Sequence, residues 1–160
     1  MHSRIFVVKD IDNPQEERLY DCEELLGDYL INIADYVIVS HDTFDDWKWL
    51  LKVYETFMTG DWSNKTITIH FNELEKYYEN KTNLLKSMVE KIDKRSWQYW
   101  DMAMYKIQQE INDEFGFYIA NEFAEVDTID VWLSLVYAKM IKANLDTMTF
   151  QIVQTFDYHS

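Results

Sequence analysis

Three glycines and one proline are all that punctuate 160 residues, and this scarcity constrains the chain more than any motif in it. Glycine supplies positive φ and proline a fixed bend, so their rarity leaves few tight turns and favours long helices with short connections. The hydrophobic periodicity agrees over most of the length. From Thr43 a helix is expected to run to about Met58 and to be closed by Gly60, with Phe44, Trp47, Leu51, Tyr54 and Met58 as its core stripe. Asn72 can cap a second helix with the stripe Leu74, Tyr78, Leu85, Met88 and Ile92, and Ser96 can open a third with Trp97, Trp100, Met104, Ile107 and Ile111. The segment TIDVWLSLVYAKMIKANL from Thr128 is apolar on nearly every side, as expected of the most buried helix. A short helix ending at Gly27 is a further candidate.

Strand signals cluster at the two ends and at one internal site. SRIFVVKD (3–10) and MTFQIVQTFD (148–157) are rich in β-branched and aromatic residues, and NKTITIHF (64–71) alternates with Ile67, Ile69 and Phe71 on one face. Residues 35–39 and 117–120 read as short strands, the former also as a helical turn. The expectation is one α+β domain over 1–160: a small, mostly antiparallel sheet of the N- and C-terminal strands plus 64–71, packed with four to five helices. Strand 3–10 is expected beside 148–157.

The formal charge of −14 bears directly on function. Phosphates would be repelled rather than neutralised, which argues against direct binding to DNA, RNA or anionic lipid. Such a charge keeps a protein soluble by self-repulsion, and it also suits a surface that meets something basic, including a nucleic-acid-binding protein. Residues 73–95 are the exception, a net positive strip containing Lys76, Lys81, Lys86, Lys91, Lys94 and Arg95. On a helix these read as a solvated face with pairs such as Glu90 with Lys86 or Lys94.

A lone cysteine, Cys22, excludes an internal disulfide and a multi-cysteine zinc site, and its acidic neighbours disfavour a reactive thiolate. The N-terminal apolar run spans four residues, too short for a signal peptide, and no apolar stretch approaches the roughly 20 residues of a membrane span. The expected compartment is the cytoplasm. The bias toward Ile, Lys, Phe, Tyr, Met and Asn is that of an AT-rich genome, such as a low-GC bacterium or its phage.

Phosphate-cradling glycine loops, HExxH, GxSxG and CxxC motifs are all absent, and nothing calls for a cofactor. The one metal-like cluster is His41 and Asp42 with Asp45 and Asp46. HD-type phosphohydrolases use such a doublet, but with further histidines and an aspartate on other helices. Here the same acids have a simpler role. Asp42 suits the N-cap and Asp45 the N3 position, while Asp45 and Asp46 oppose the positive end of the helix dipole for about 0.3–1 kcal/mol each. Trp49 lies off the core stripe, covered by another segment or exposed as an interface anchor. A second acidic-aromatic region holds Glu110, Asp113 and Glu114 at a helix end, where acids oppose the dipole, followed by Phe117, Glu122 and Glu125.

These residues favour a non-enzymatic interaction or inhibitor protein. It would bind a basic partner, such as a nucleic-acid-binding enzyme, by electrostatic occlusion. In size and charge, though in no motif, the chain is similar to phage anti-restriction and anti-CRISPR proteins and to immunity proteins. The candidate partner-binding residues are Trp49, Asp45, Asp46, Glu110, Asp113, Glu114, Phe117, Glu122 and Glu125. The rival readings are a metal-dependent hydrolase built on His41 and Asp42, and a structural protein that forms homodimers through its aromatic surface.

Overall fold

The computed structural model describes residues 2–12, 36–92, 100–111, 116–120 and 126–159. Within them seven strands form one mostly antiparallel sheet, accompanied by four α-helices. The strands are β1 (His2–Asp10), β2 (Tyr36–Val39), β3 (Met58–Asp61), β4 (Thr66–His70), β5 (Phe117–Ala120), β6 (Val126–Thr128) and β7 (Thr147–His159). The helices are α1 (Thr43–Val53), α2 (Phe71–Glu90), α3 (Trp100–Ile111) and α4 (Ile129–Ala143).

The terminal strands pair as expected. β1 and β7 run antiparallel from His2 opposite His159 to Asp10 opposite Phe150, with an irregularity between Val7 and Val8. The other flank of β7 is shared end to end, by β4 along residues 147–151 and by β2 along 156–159. β1 also pairs with β5, the one parallel ladder, and β5 with β6, so the order across the sheet is β3-β4-β7-β1-β5-β6 with β2 beside β7. The sheet is larger than the sequence suggests. β2 and β5 fall where residues 35–39 and 117–120 read as short strands, whereas β3 and β6, of four and three residues, are too short for a period of two to stand out.

Alternation divides the side chains between the two faces. Phe6, Val8, Ile67, Ile69, Phe117, Ile119, Phe150 and Ile152 pack with Trp47 and Leu50 of α1, Leu74 of α2, and Ile129, Trp132, Leu133, Val136 and Met140 of α4. On the opposite face Ile5, Val7, Val37, Ala120, Phe156 and Tyr158 form a smaller cluster. Each fully buried aliphatic or aromatic side chain contributes about 1.5–3 kcal/mol, so the larger cluster dominates stability.

Three expectations need correction. Gly60 does not end a helix. α1 stops at Val53, and Gly60 lies in β3 opposite Ile67. A Cβ there would come 2.7 Å from both the Thr66 carbonyl oxygen and Trp47 Cζ2, so the glycine serves close packing rather than a turn. Asn72 does not cap α2: His70 occupies that position, its ring bonded to Thr59 Oγ1 rather than to the helix end, and the Phe71 N–H donates to the Asp146 carbonyl at 2.9 Å instead. α4 is not buried all round, since Val131, Leu135 and Ile141 are exposed.

Two of the described turns are made without glycine. Between β3 and β4 the Asp61 carboxylate accepts from the Ser63 N–H, a 3₁₀ turn spans Trp62–Asn64, and Lys65 takes φ 52°. At the end of α4, Asn144 takes φ 53° and the Leu145 N–H donates to the Met140 carbonyl at 3.0 Å, a left-handed helix cap.

Candidate partner-binding surface

The start of α1 is built as its sequence suggests. Asp42 is the N-cap, its Oδ1 accepting from the Asp45 N–H at 3.2 Å, and Asp45 faces solvent in the first turn. Asp46 takes the opposite direction. It is 5 % exposed, and its Oδ1 accepts from Arg4 Nε of β1 at 2.6 Å while its Oδ2 accepts from the Ser40 hydroxyl. Arg4 Nη1 also donates to Asp157 Oδ1 of β7 at 2.6 Å. One guanidinium therefore ties α1 to the two terminal strands.

Trp49, expected on the wrong side of its helix, belongs to this assembly. Its ring meets Phe117 edge-on at 4.8 Å between centroids, and the Arg4 guanidinium carbon lies 5.9 Å from the ring centre. The side chain is half-buried against the larger core cluster. Phe117 is 1 % exposed. Asp46, Trp49 and Phe117 thus converge, but inward, around Arg4. Among the sequence candidates in this region, Asp45 alone is fully at the surface. Glu110 lies on α3, its side chain outside the described residues, and Asp113, Glu114, Glu122 and Glu125 also fall outside them.

A neighbouring aromatic pair was hidden from the periodicity. Phe44, assigned to the core stripe, is 40 % exposed. Its ring lies 5.0 Å from that of Trp62 in the β3–β4 turn and 6.0 Å from that of Trp47, and Lys48 Nζ stands 5.1 Å from its centre. Trp47 itself is buried, with Nε1 donating to the Thr66 carbonyl at 3.1 Å. The buried stripe is Trp47 and Leu50 of α1 with Tyr54 just beyond its end, which leaves Phe44 at the rim. The turn that carries Trp62 gives no periodic signal.

Carboxylates flank the pair in the sequence. Asp42, the N-cap, and Asp45 fall either side of Phe44, and Asp61 precedes Trp62; all three are exposed. The Ser63 hydroxyl, with the Asn64 side-chain amide, holds the Asp61 carboxyl below its usual range, so it stays charged at neutral pH. The arrangement offers apolar rings near exposed carboxylates, with the Lys48 ammonium already over Phe44, and a further arginine or lysine side chain would meet the rings from the side that Lys48 leaves open.

Among the described residues, which include His41, Asp42, Asp45 and Asp46, no three His, Cys, Asp or Glu side chains are grouped to hold one ion. None of the described helices is long and apolar enough to cross a membrane. Comparison with family models, with curated proteins and with solved structures finds no match to this chain.

Proposed function

We propose that this chain is a non-enzymatic interaction protein of the cytoplasm that occludes the basic, nucleic-acid-binding surface of a partner. The observation that carries the reading is the contact of exposed Phe44 with half-buried Trp62, in a segment that also carries the exposed Asp42, Asp45 and Asp61, on a chain of net charge −14. Carboxylates at the rim steer a cationic partner and set its register, while aromatic anchors supply the short-range energy. The size and charge of the chain are similar to those of anti-restriction, anti-CRISPR and immunity proteins.

The test is binding to purified basic nucleic-acid enzymes, a restriction endonuclease and a CRISPR effector among them, at low and high salt. Affinity is expected to fall steeply with salt and to weaken in the variants Phe44→Ser and Asp45→Lys. Salt-independent binding, or no affinity for any such enzyme, removes the proposal.

Self-association is a second reading, favoured by the exposed Val131, Leu135 and Ile141 on α4. Sedimentation across a concentration series separates the two, because a dimer changes its sedimentation coefficient in the absence of any other protein.

A further inference from the structure

On α2, Glu75, Glu79, Asn83 and Lys86 recur at intervals of four, four and three residues, and so share one helical face. This face and the rings of Tyr78 and Tyr137 line an open groove of about 530 Å³, within the roughly 300–1,000 Å³ typical of small-ligand sites. Its charges are sorted. The two glutamates stand at one end and Lys86 at the other, about 10 Å along the axis from Glu79 at 1.5 Å per residue.

The aromatic wall is fixed by its own contacts. Tyr137 stacks on Phe71 with an interplanar angle of 9° and donates its hydroxyl to Glu75 Oε1 at 3.3 Å. Desolvation, with the Glu75 carboxylate beside it, raises the Tyr137 pKa, so the phenol remains a neutral donor that orients Glu75. Tyr78 lies against Tyr137, ring centres 5.3 Å apart. Nearby, Lys81 is paired with Asp130 at 3.5 Å. Among the described residues neither Glu79 nor Lys86 forms an ion pair, so both remain available to a ligand.

We propose that this groove binds a small zwitterion of the arginine class, its guanidinium between Glu75 and Glu79 and its carboxylate at Lys86. A guanidinium matches carboxylates in a forked geometry and lies flat on aromatic rings, which a compact ammonium does less well. The span from Glu79 to Lys86 fits one extended side chain with its carboxylate. The site uses none of the residues of the Phe44–Trp62 surface, so it stands or falls apart from the function proposed above.

The experiment titrates the full chain with L-arginine and with agmatine, which lacks the carboxylate, following the tyrosine ring signals by NMR and the heat by calorimetry. Saturable shifts of Tyr78 and Tyr137 are expected. Glu79→Gln is expected to weaken both ligands about tenfold, the equivalent of one lost charge-assisted bond. Lys86→Met is expected to weaken arginine alone, and Phe44→Ser to leave both unchanged. Glu79 and Lys86 are exposed, and thermal melts verify that their variants stay folded. Absence of saturable shifts at millimolar arginine overturns the site, as does unchanged binding in folded Glu79→Gln. Equal loss of both ligands in Lys86→Met overturns the assigned orientation, and with it the zwitterion as ligand class.

Discussion

Arg4 Nε of β1 and Asp46 Oδ1 of α1 are 2.6 Å apart, joining residues 42 positions distant in sequence. The side chains are 19 % and 7 % exposed, so each charge depends on the other for what water would otherwise supply. Removing one partner of a buried pair costs about 3–5 kcal/mol when the other charge is left uncompensated; here Arg4 keeps Asp157 at 2.6 Å, which places the loss at the low end. Asp46→Ala is therefore expected to lower stability by about 3 kcal/mol in urea denaturation. Asp45→Ala, one residue earlier and facing water, is expected to lose no more than about 1 kcal/mol. Equal losses would mean that the pair adds nothing beyond the helix dipole.

Gly60→Ala tests the close approach of β3 to α1. The added Cβ meets a backbone carbonyl at Thr66 as well as the Trp47 ring, so a rotamer change cannot relieve the contact. A loss of about 1–3 kcal/mol is expected, read as a lower midpoint in thermal or urea unfolding. An unchanged midpoint would show that the hairpin shifts freely.

The same glycine shows what the sequence could and could not disclose. Strong alternation at 66–70 and dense β-branched residues at 2–10 and 147–159 revealed the strands that carry the core, and the Asp42 cap revealed where α1 begins. The end of α1 was obscured because Phe57 and Met58 continue an apolar pattern through a change from helix to strand. The direction of Asp46 was equally hidden. Its partner Arg4 lies on another element, and one-dimensional spacing cannot distinguish a carboxylate facing water from one facing an arginine. Trp49 looked anomalous for the same reason, since Phe117 and Arg4 cover it from distant positions.

Lys65 holds φ 52° in the β3–β4 turn, a conformation that disfavours a side chain bearing Cβ by roughly 1–2 kcal/mol. Its side chain is exposed. Lys65→Gly is expected to raise stability by about 1 kcal/mol, the gain reduced by the greater freedom glycine brings to the unfolded chain. Lys65→Val is expected to lower it. Calorimetric melting of both variants decides the sign.

The Tyr78 hydroxyl is buried without a hydrogen-bond partner, a state that costs about 1–3 kcal/mol. Tyr78→Phe is accordingly expected to stabilise the protein by about 1 kcal/mol at neutral pH. Burial, reinforced by the charge of Asp130, raises the Tyr78 pKa from 10.0 to about 12. The unfolded chain therefore releases this proton first. Stability that is fully present below pH 10 declines as the pH rises toward 12. Tyr118, half-buried and bonded to Tyr158, is shifted in the same direction, so Tyr78→Phe should flatten the alkaline decline without abolishing it. Urea midpoints from neutral to strongly alkaline pH measure this directly.

β7 touches three other strands, with β1 on one side and β4 and β2 in series on the other. Its thirteen residues follow all the strands they join, and the ladder to β1 closes a loop of nearly the whole described chain. Loops of that length form late, because their closure entropy must be met before any contact rewards it. While the chain is being synthesised, β1, β2 and β4 wait with unpaired edges, the condition in which strands seek wrong partners. Folding thus becomes an event of the finished segment. Acidic side chains held at a distance by mutual repulsion protect the interval before it, so the net charge of −14 also serves the chain before it has a fold.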